Sequence, residues 1–157
     1  SPKAAVAFRA SDDLTLKASL GRAVRMPTVS ELYQGTVSTQ TIVNNDPNLK
    51  PEKSWTSEWS AEQSLNDGKG LLRATFFHED TVDALYSQTN TLVTPNITNI
   101  QNVDKIRTNG LELAYQNSDV FVSGLDLAAS VTYADSKIVK NDKFQKSVGK
   151  WQPRVPQ

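Results

Sequence analysis

Few residues in this chain could carry chemistry. His78 is the only histidine and cysteine is absent, so a His-cluster or thiolate metal site, a Cys nucleophile and a Ser-His-Asp triad cannot be assembled. A lone histidine near the end of an alternating segment reads as structural. The carboxylates Glu58, Glu62, Glu79 and Glu112 could in principle do acid–base work. All four fall on the polar side of alternating segments that also carry Lys17 and Arg73, where ion pairing across a wet surface accounts for them better. Asn44, Asn45, Asp46 and Asn48 offer oxygen ligands without the spacing or terminal Glu of a calcium loop, and turn chemistry explains them. Asn96-Ile97-Thr98 matches a glycosylation sequon by chance, and no glycine-rich phosphate cradle is present. The expectation is a protein that is not an enzyme, with no cofactor and no metal site.

The elements that would position these residues alternate with period two. Ala4, Val6, Phe8 and Ala10 share one face of a first segment, which ends in a Ser11-Asp12-Asp13 turn. Leu14, Leu16, Ala18 and Leu20 form the apolar side of the second, against Thr15, Lys17, Ser19 and Gly21. A long connection from Met26 to Lys53 follows, in which Thr28-Val29-Ser30-Glu31 has the form of a capping box. The third segment carries Trp55 and Trp59 and stops at Asn66-Asp67-Gly68. In the fourth, Leu72, Ala74 and Phe76 oppose Arg73 and Thr75, continuing toward Tyr86. A polar connection is expected from Gln88 to Gln101. The fifth sets Leu111, Leu113 and Tyr115 against Glu112, Ala114 and Gln116, and the sixth sets Leu125, Leu127, Ala129, Val131 and Tyr133 against Asp126 to Thr132. A polar, basic loop then runs from Lys137 to Lys150.

Every charged residue within these alternating cores lies opposite the Leu, Val and Trp row, leaving one face free of charge. Helix does not fit side chains that step strictly by two. Connections alternate between short and long, as in an up-and-down meander whose two sets of turns face different sides of a membrane. Charges balance at 17 against 17, so no net field points to nucleic acid. No apolar run approaches the roughly 20 residues of a membrane helix, which a wall of strands would not need. The N-terminus carries no secretory signal, and the chain reads as a fragment, with a further strand expected to begin at 153–157.

Two interruptions carry a more specific signal. From Asn44 the chain reads Asn-Asn-Asp-Pro-Asn-Leu-Lys-Pro-Glu before the third strand; Pro47 and Pro51 exclude regular structure there. This stretch resembles the point at which TonB-dependent outer-membrane receptors re-enter the barrel after an extracellular loop, Asn-Pro-x-Leu-x-Pro-Glu followed by a strand carrying Glu. Pro47, Asn48, Leu49, Lys50, Pro51, Glu52 and Glu58 match, and Asp46 replaces the usual Asn or Gly. Gly21 to Tyr33 resembles the preceding Gly-Arg-x-x-Arg-x-Pro-Thr-x-x-Glu-Leu-Tyr, with Arg25 and Glu31 in register. Asn102-Val103 and Gly110-Leu111-Glu112 resemble the Asn-x and Gly-x-Glu signatures downstream.

The resemblance implies an all-β, antiparallel up-and-down meander, a slice of a barrel of about 22 strands. Residues 1–157 would then supply six or seven strands, about a third of the wall, without the plug domain. It implies an outer-membrane receptor importing a scarce nutrient chelate, most often a ferric siderophore, powered through TonB by way of the plug. Lys17, Glu58, Arg73 and Glu112 would face the lumen, with the opposite row in outer-membrane lipid. Trp55, Phe76 and Tyr133 would sit toward the long loops, and Phe8 and Tyr115 toward the short turns, as an aromatic girdle. Arg25, Glu31, Pro47, Leu49, Pro51 and Glu52 would shape the loop base, Arg25 and Glu31 as an ion pair. Tyr33, Gln34, Tyr86 and Phe144 are the candidate ligand contacts in the extracellular loops. The competing architecture is a soluble, secreted β-sandwich binding module whose apolar row packs on a second sheet.

Overall fold

The computed structural model describes residues 1–152, so the strand start expected at 153–157 lies outside the described residues. In chain order the elements are β1 (Lys3–Arg9), β2 (Leu14–Arg25), helix α1 (Val29–Tyr33), β3 (Thr36–Val37), β4 (Thr41–Asn44), β5 (Glu52–Leu65), β6 (Gly70–Asn90), β7 (Asn96–Asn117) and β8 (Leu127–Lys140). The six alternating segments are the six long strands. Among the described residues they form one sheet in the order β1-β2-β5-β6-β7, with β8 also on β7. Each long strand runs antiparallel to the one before it.

The short turns define a lower end. At the first, Ser11 Oγ accepts from the backbone N–H of Asp13 and Leu14. At the second, Asn66, Asp67 and Gly68 all take positive φ, which is why Asn, Asp and Gly stand there. At the third, Asp119 Oδ1 accepts from Gly124 N–H at 2.8 Å. Leu125 belongs to this turn rather than to β8, because its carbonyl accepts from Val120 N–H at 2.8 Å and its own N–H donates to Val122.

At the upper end the structure corrects three expectations. The connection from Met26 to Lys53 contains α1, β3 and β4, and β4 pairs in parallel with Asn96–Asn99 of β7. The antiparallel up-and-down meander holds for the six long strands, and this short parallel ladder is added at the upper edge. The expected loop from Gln88 to Gln101 is mostly hairpin: β6 and β7 stay paired from Val82↔Lys105 up to Asn90↔Ile97, and Thr89 and Thr98 hydroxyls meet at 2.9 Å. Local sequence hid this because Ile97 and Ile100 lie three positions apart among Thr, Asn and Gln, leaving no period-two row to read. The last loop likewise begins only after Lys140.

Cross-strand register puts Leu16, Ala61, Ala74, Leu113 and Val131 in one row, and Ala18, Trp59, Phe76, Leu111 and Tyr133 in the next. This face is uncovered: Val6 and Phe8 are each 65% exposed and Val131 is 64%. A sandwich would bury such rows beneath a second sheet about 10 Å away; the described residues form only one. The buried apolar side chains, Ala84, Val103, Ile106 and Ile138 with Tyr86 packed against them, and separately Leu49, lie toward the upper end. The charge-free face is confined to the apolar band. Above it the same rows carry Arg22, Asp80, Arg107 and Lys137, where the strands extend past the apolar side chains.

Candidate functional site: the lumen wall and loop base

On the reverse of the apolar face, register aligns Lys17, Ser60, Thr75, Glu112 and Thr132 across five strands. Lys17 Nζ lies 2.6 Å from Glu62 Oε2, and Arg73 Nη2 lies 3.4 Å from Glu112 Oε1. Glu58 accepts from Ser19 Oγ at 3.5 Å, and Glu79 accepts from Thr56 and Thr81. Lys17, Glu58, Arg73 and Glu112 thus share one polar face. Half-exposed pairs of this kind contribute about 0–1 kcal/mol each, so their effect is to keep the face wet. No group of three or more His, Cys, Asp or Glu converges among the described residues.

Gly110 opposes Phe77 on this same face. A Cβ at Gly110 would come within 2.6 Å of the Phe77 ring atom Cε2. The glycine of the Gly-x-Glu signature is what lets the ring lie across the neighbouring strand.

The loop base is built where β2 ends and β5 begins. Thr28 caps α1: its Oγ1 accepts from Glu31 N–H, and the Glu31 carboxylate accepts from Thr28 N–H. Arg25 Nη2 lies 2.6 Å from Glu31 Oε1. Burial pushes the Glu31 carboxyl up, but the Thr28 backbone donor and the Arg25 guanidinium outweigh it and hold the group below its ordinary value. Asn45 Nδ2 donates to the carbonyls of Ser30 and Glu31 at 2.6 and 2.8 Å, fastening the returning chain beneath the helix.

The proline stretch then folds onto the wall. Asp46 Oδ1 accepts from Asn48 N–H, an Asx turn around Pro47, and Leu49 is buried. Lys50 N–H donates to Asn102 Oδ1 at 2.8 Å, while Asn102 Nδ2 donates to the carbonyls of Lys50 and Asp83. Pro51 leads directly into β5. The β5–β6 ladder runs up only to Lys53↔Val82, after which Asp83 takes a positive φ. There Glu52 Oε2 accepts from Leu85 N–H at 2.8 Å, satisfying a backbone donor that the ladder no longer reaches. Replacing Glu52 by Ala is expected to cost about 1–3 kcal/mol, read as a lower denaturation midpoint of the detergent-solubilised full-length protein, while Glu52→Gln recovers part of it. An unchanged midpoint in Glu52→Ala would remove this role.

The four candidate ligand contacts are carried by three parts of the upper end. Tyr33 is exposed on α1 and Gln34 ends that helix, donating its N–H to Ser30 O. Tyr86 is on β6 rather than in a loop, half-buried against the upper core. Phe144 stands in the last loop, partly exposed, its N–H bonded to Asn141 Oδ1. Sequence reasoning missed the contacts that bind these parts together: Asp46 to Lys143 at 3.7 Å, Asn44 to Asn99 at 3.0 Å, and Asp142 N–H to Asp104 Oδ2 at 2.6 Å. Single polar residues separated by 38 to 97 positions leave no local pattern that could have joined them.

A polar inner face, an uncovered apolar outer face and three loops tied at one end are the features of a barrel wall. The profile of the family described as "TonB dependent receptor-like, beta-barrel" matches residues 1–157. The chain belongs to this family of TonB-dependent receptor barrels. Comparison with curated protein sequences finds no match. Among solved structures, the siderophore receptor PirA from Pseudomonas aeruginosa superposes with a TM-score of 0.71 at 18% identity, over 88% of this chain and 28% of that one. The copper transporter OprC gives 0.66 at 22% identity, over 88% of this chain and 20% of its own. The FrpB iron transporter from Neisseria meningitidis gives 0.62 at 20%, over 95% and 21%. At these identities the likeness shows the fold. The chain spans between 20% and 28% of these structures' lengths. TonB-dependent receptor barrels are an outer-membrane family of transport receptors, not enzymes.

Proposed function

We propose that this chain is a wall segment of a bacterial outer-membrane receptor that captures a nutrient chelate, a ferric siderophore first among them, and imports it with energy delivered through TonB by a plug domain outside these residues. The observation that carries the proposal is the one-sided wall. Val6, Phe8 and Val131 stand uncovered on one face while Lys17, Glu62, Arg73 and Glu112 pair on the other, an arrangement suited to lipid outside and water inside. The loop base held by Arg25, Glu31, Pro47, Leu49, Pro51 and Glu52 would set the mouth, and Tyr33, Gln34, Tyr86 and Phe144 would supply contacts to an organic chelate. PirA is described as a siderophore receptor and OprC as a copper transporter, so both ligand classes belong in the test.

The experiment uses the full-length receptor, recovered from outer-membrane fractions and titrated by tryptophan fluorescence with ferric catecholate, ferric hydroxamate and copper(II) probes. Saturable binding of a ferric chelate is expected, weakened about tenfold or more in the Tyr33→Ala, Phe144→Ala double variant. Binding of copper alone would overturn the siderophore assignment. Recovery in the soluble fraction would overturn the receptor itself.

A further inference from the structure

The three lower turns are not alike. Residues 10–13 and 66–69 make two short ones, which expose Ser11, Asp12, Asp13, Asn66 and Asp67. The third runs over 118–126, although two residues are enough to join antiparallel neighbours. Its tip is apolar: Phe121 is 95% exposed and Val122 is 61%. Phe121 also takes a φ of +65°, left-handed backbone that a bulky side chain seldom adopts. The surrounding frame is what holds it. Val120 N–H donates to Leu125 O at 2.8 Å and Leu125 N–H to Val122 O at 3.2 Å. Asp119 Oδ1 accepts from Gly124 N–H, and its Oδ2 lies 3.1 Å from Lys69 Nζ. Ser118 N–H donates to Lys69 O at 2.9 Å, which braces this turn against the one beside it.

The apolar rows above this turn are short. On β7 the outward run is Leu111, Leu113 and Tyr115, about 13 Å along the strand. It stops at Asn117, whose Nδ2 donates to the Tyr115 hydroxyl at 3.1 Å. On β8 the run from Leu127 to Tyr133 covers about 20 Å. The apolar band of a membrane barrel is about 25 Å tall and its strands are tilted, so neither run fills it. The next apolar side chains below Leu127 are Leu125, itself 48% exposed, then Val122 and Phe121.

We propose that Phe121 and Val122 form a foot set into the phospholipid of the periplasmic leaflet, at the junction of headgroups and acyl chains. The assignment rests on the outer-membrane placement proposed above, in which the short turns face the periplasm. An aromatic ring is stable at that junction. A wall whose apolar rows are too short for its bilayer gains from further apolar contact at its margin, which lowers the cost of mismatch. Succession from the uncovered outer rows through Leu125 to the tip favours lipid over a protein partner. Phe121 lies beyond the ends of the strands, so its depth is set by the braced turn and not by the sheet.

The test places a nitroxide at Phe121→Cys in the full-length receptor, with any cysteine outside these residues replaced by serine, refolded into phosphatidylcholine vesicles. Power-saturation spin resonance compares collisions with oxygen, which concentrates in lipid, and with a water-soluble nickel chelate. The expected result is a label at 121 that meets oxygen and has lost access to nickel, whereas a label at Asp12→Cys keeps that access. Because this label replaces the ring, a second one at Ser123→Cys leaves Phe121 in place. Adding Phe121→Ser and Val122→Ser should return the second label to water while the barrel keeps its heat-modifiable migration. Nickel access at 121 equal to that at 12 overturns the proposal. So does a label at 121 shielded from both reagents, which would mean packing against protein, or a label at 123 that the serine variants leave unmoved. Recovery of the receptor in the soluble fraction overturns instead the placement on which the proposal rests.

Discussion

Gly110→Ala is expected to destabilise the barrel by about 1–3 kcal/mol, although alanine is ordinarily the better strand residue by up to about 1 kcal/mol. The reason is the Phe77 ring, whose Cε1 and Cε2 lie 2.5 and 2.6 Å from where the new Cβ would stand. Well-packed sites accept added methyl groups only by driving side chains off their rotamers. Phe77→Ala removes the obstruction, so a double-mutant cycle should show coupling of about 1–3 kcal/mol, the second substitution costing less in the presence of the first. Denaturant unfolding of the full-length protein, refolded in detergent, supplies the four midpoints. Strict additivity would mean that the ring moves aside freely and that the glycine has some other purpose.

The second large effect separates the two faces. Leu113 sits in the outer apolar row between Ala74 and Val131 and is 42% exposed with no layer above it. An arginine there would face hydrocarbon, and Leu113→Arg is expected to cost about 2–4 kcal/mol near the bilayer midplane. Its chain neighbour Glu112 points the opposite way and loses only a half-exposed pairing with Arg73, so Glu112→Gln should cost at most about 1 kcal/mol. Refolding both variants into lipid vesicles and unfolding them with guanidinium measures the difference. Equal costs would sink the assignment of faces.

The wall was legible because its physics is local. A residue's face in a strand depends only on parity, so Leu111, Leu113 and Tyr115 announced one side and Glu112 the other without any tertiary information. The capping box of Thr28 and Glu31 was equally readable, since both partners lie within four residues. Legibility failed where no period-two row marks the strands, as in the hairpin above Val82, and where partners are remote. The motif Pro47 to Glu52 could be recognised, yet nothing in it says that Glu52 answers Leu85 or that Lys50 clasps Asn102. The outward cations Arg22, Lys105 and Arg107 were hidden for a related reason. Each lies beyond the apolar run that made its own strand recognisable, so the rule of a charge-free face stopped short of them.

The pairing of β4 with β7 bears on the order in which this molecule can be put together. Residues 41–44 precede β5, yet their partners at 96–99 lie 55 positions later, on the edge that remains after β6 has been laid against β7. Closing so long a segment brings no return until both intervening strands are in place. From this separation in sequence, the long antiparallel strands are expected to pair before the part of the mouth that β4 closes.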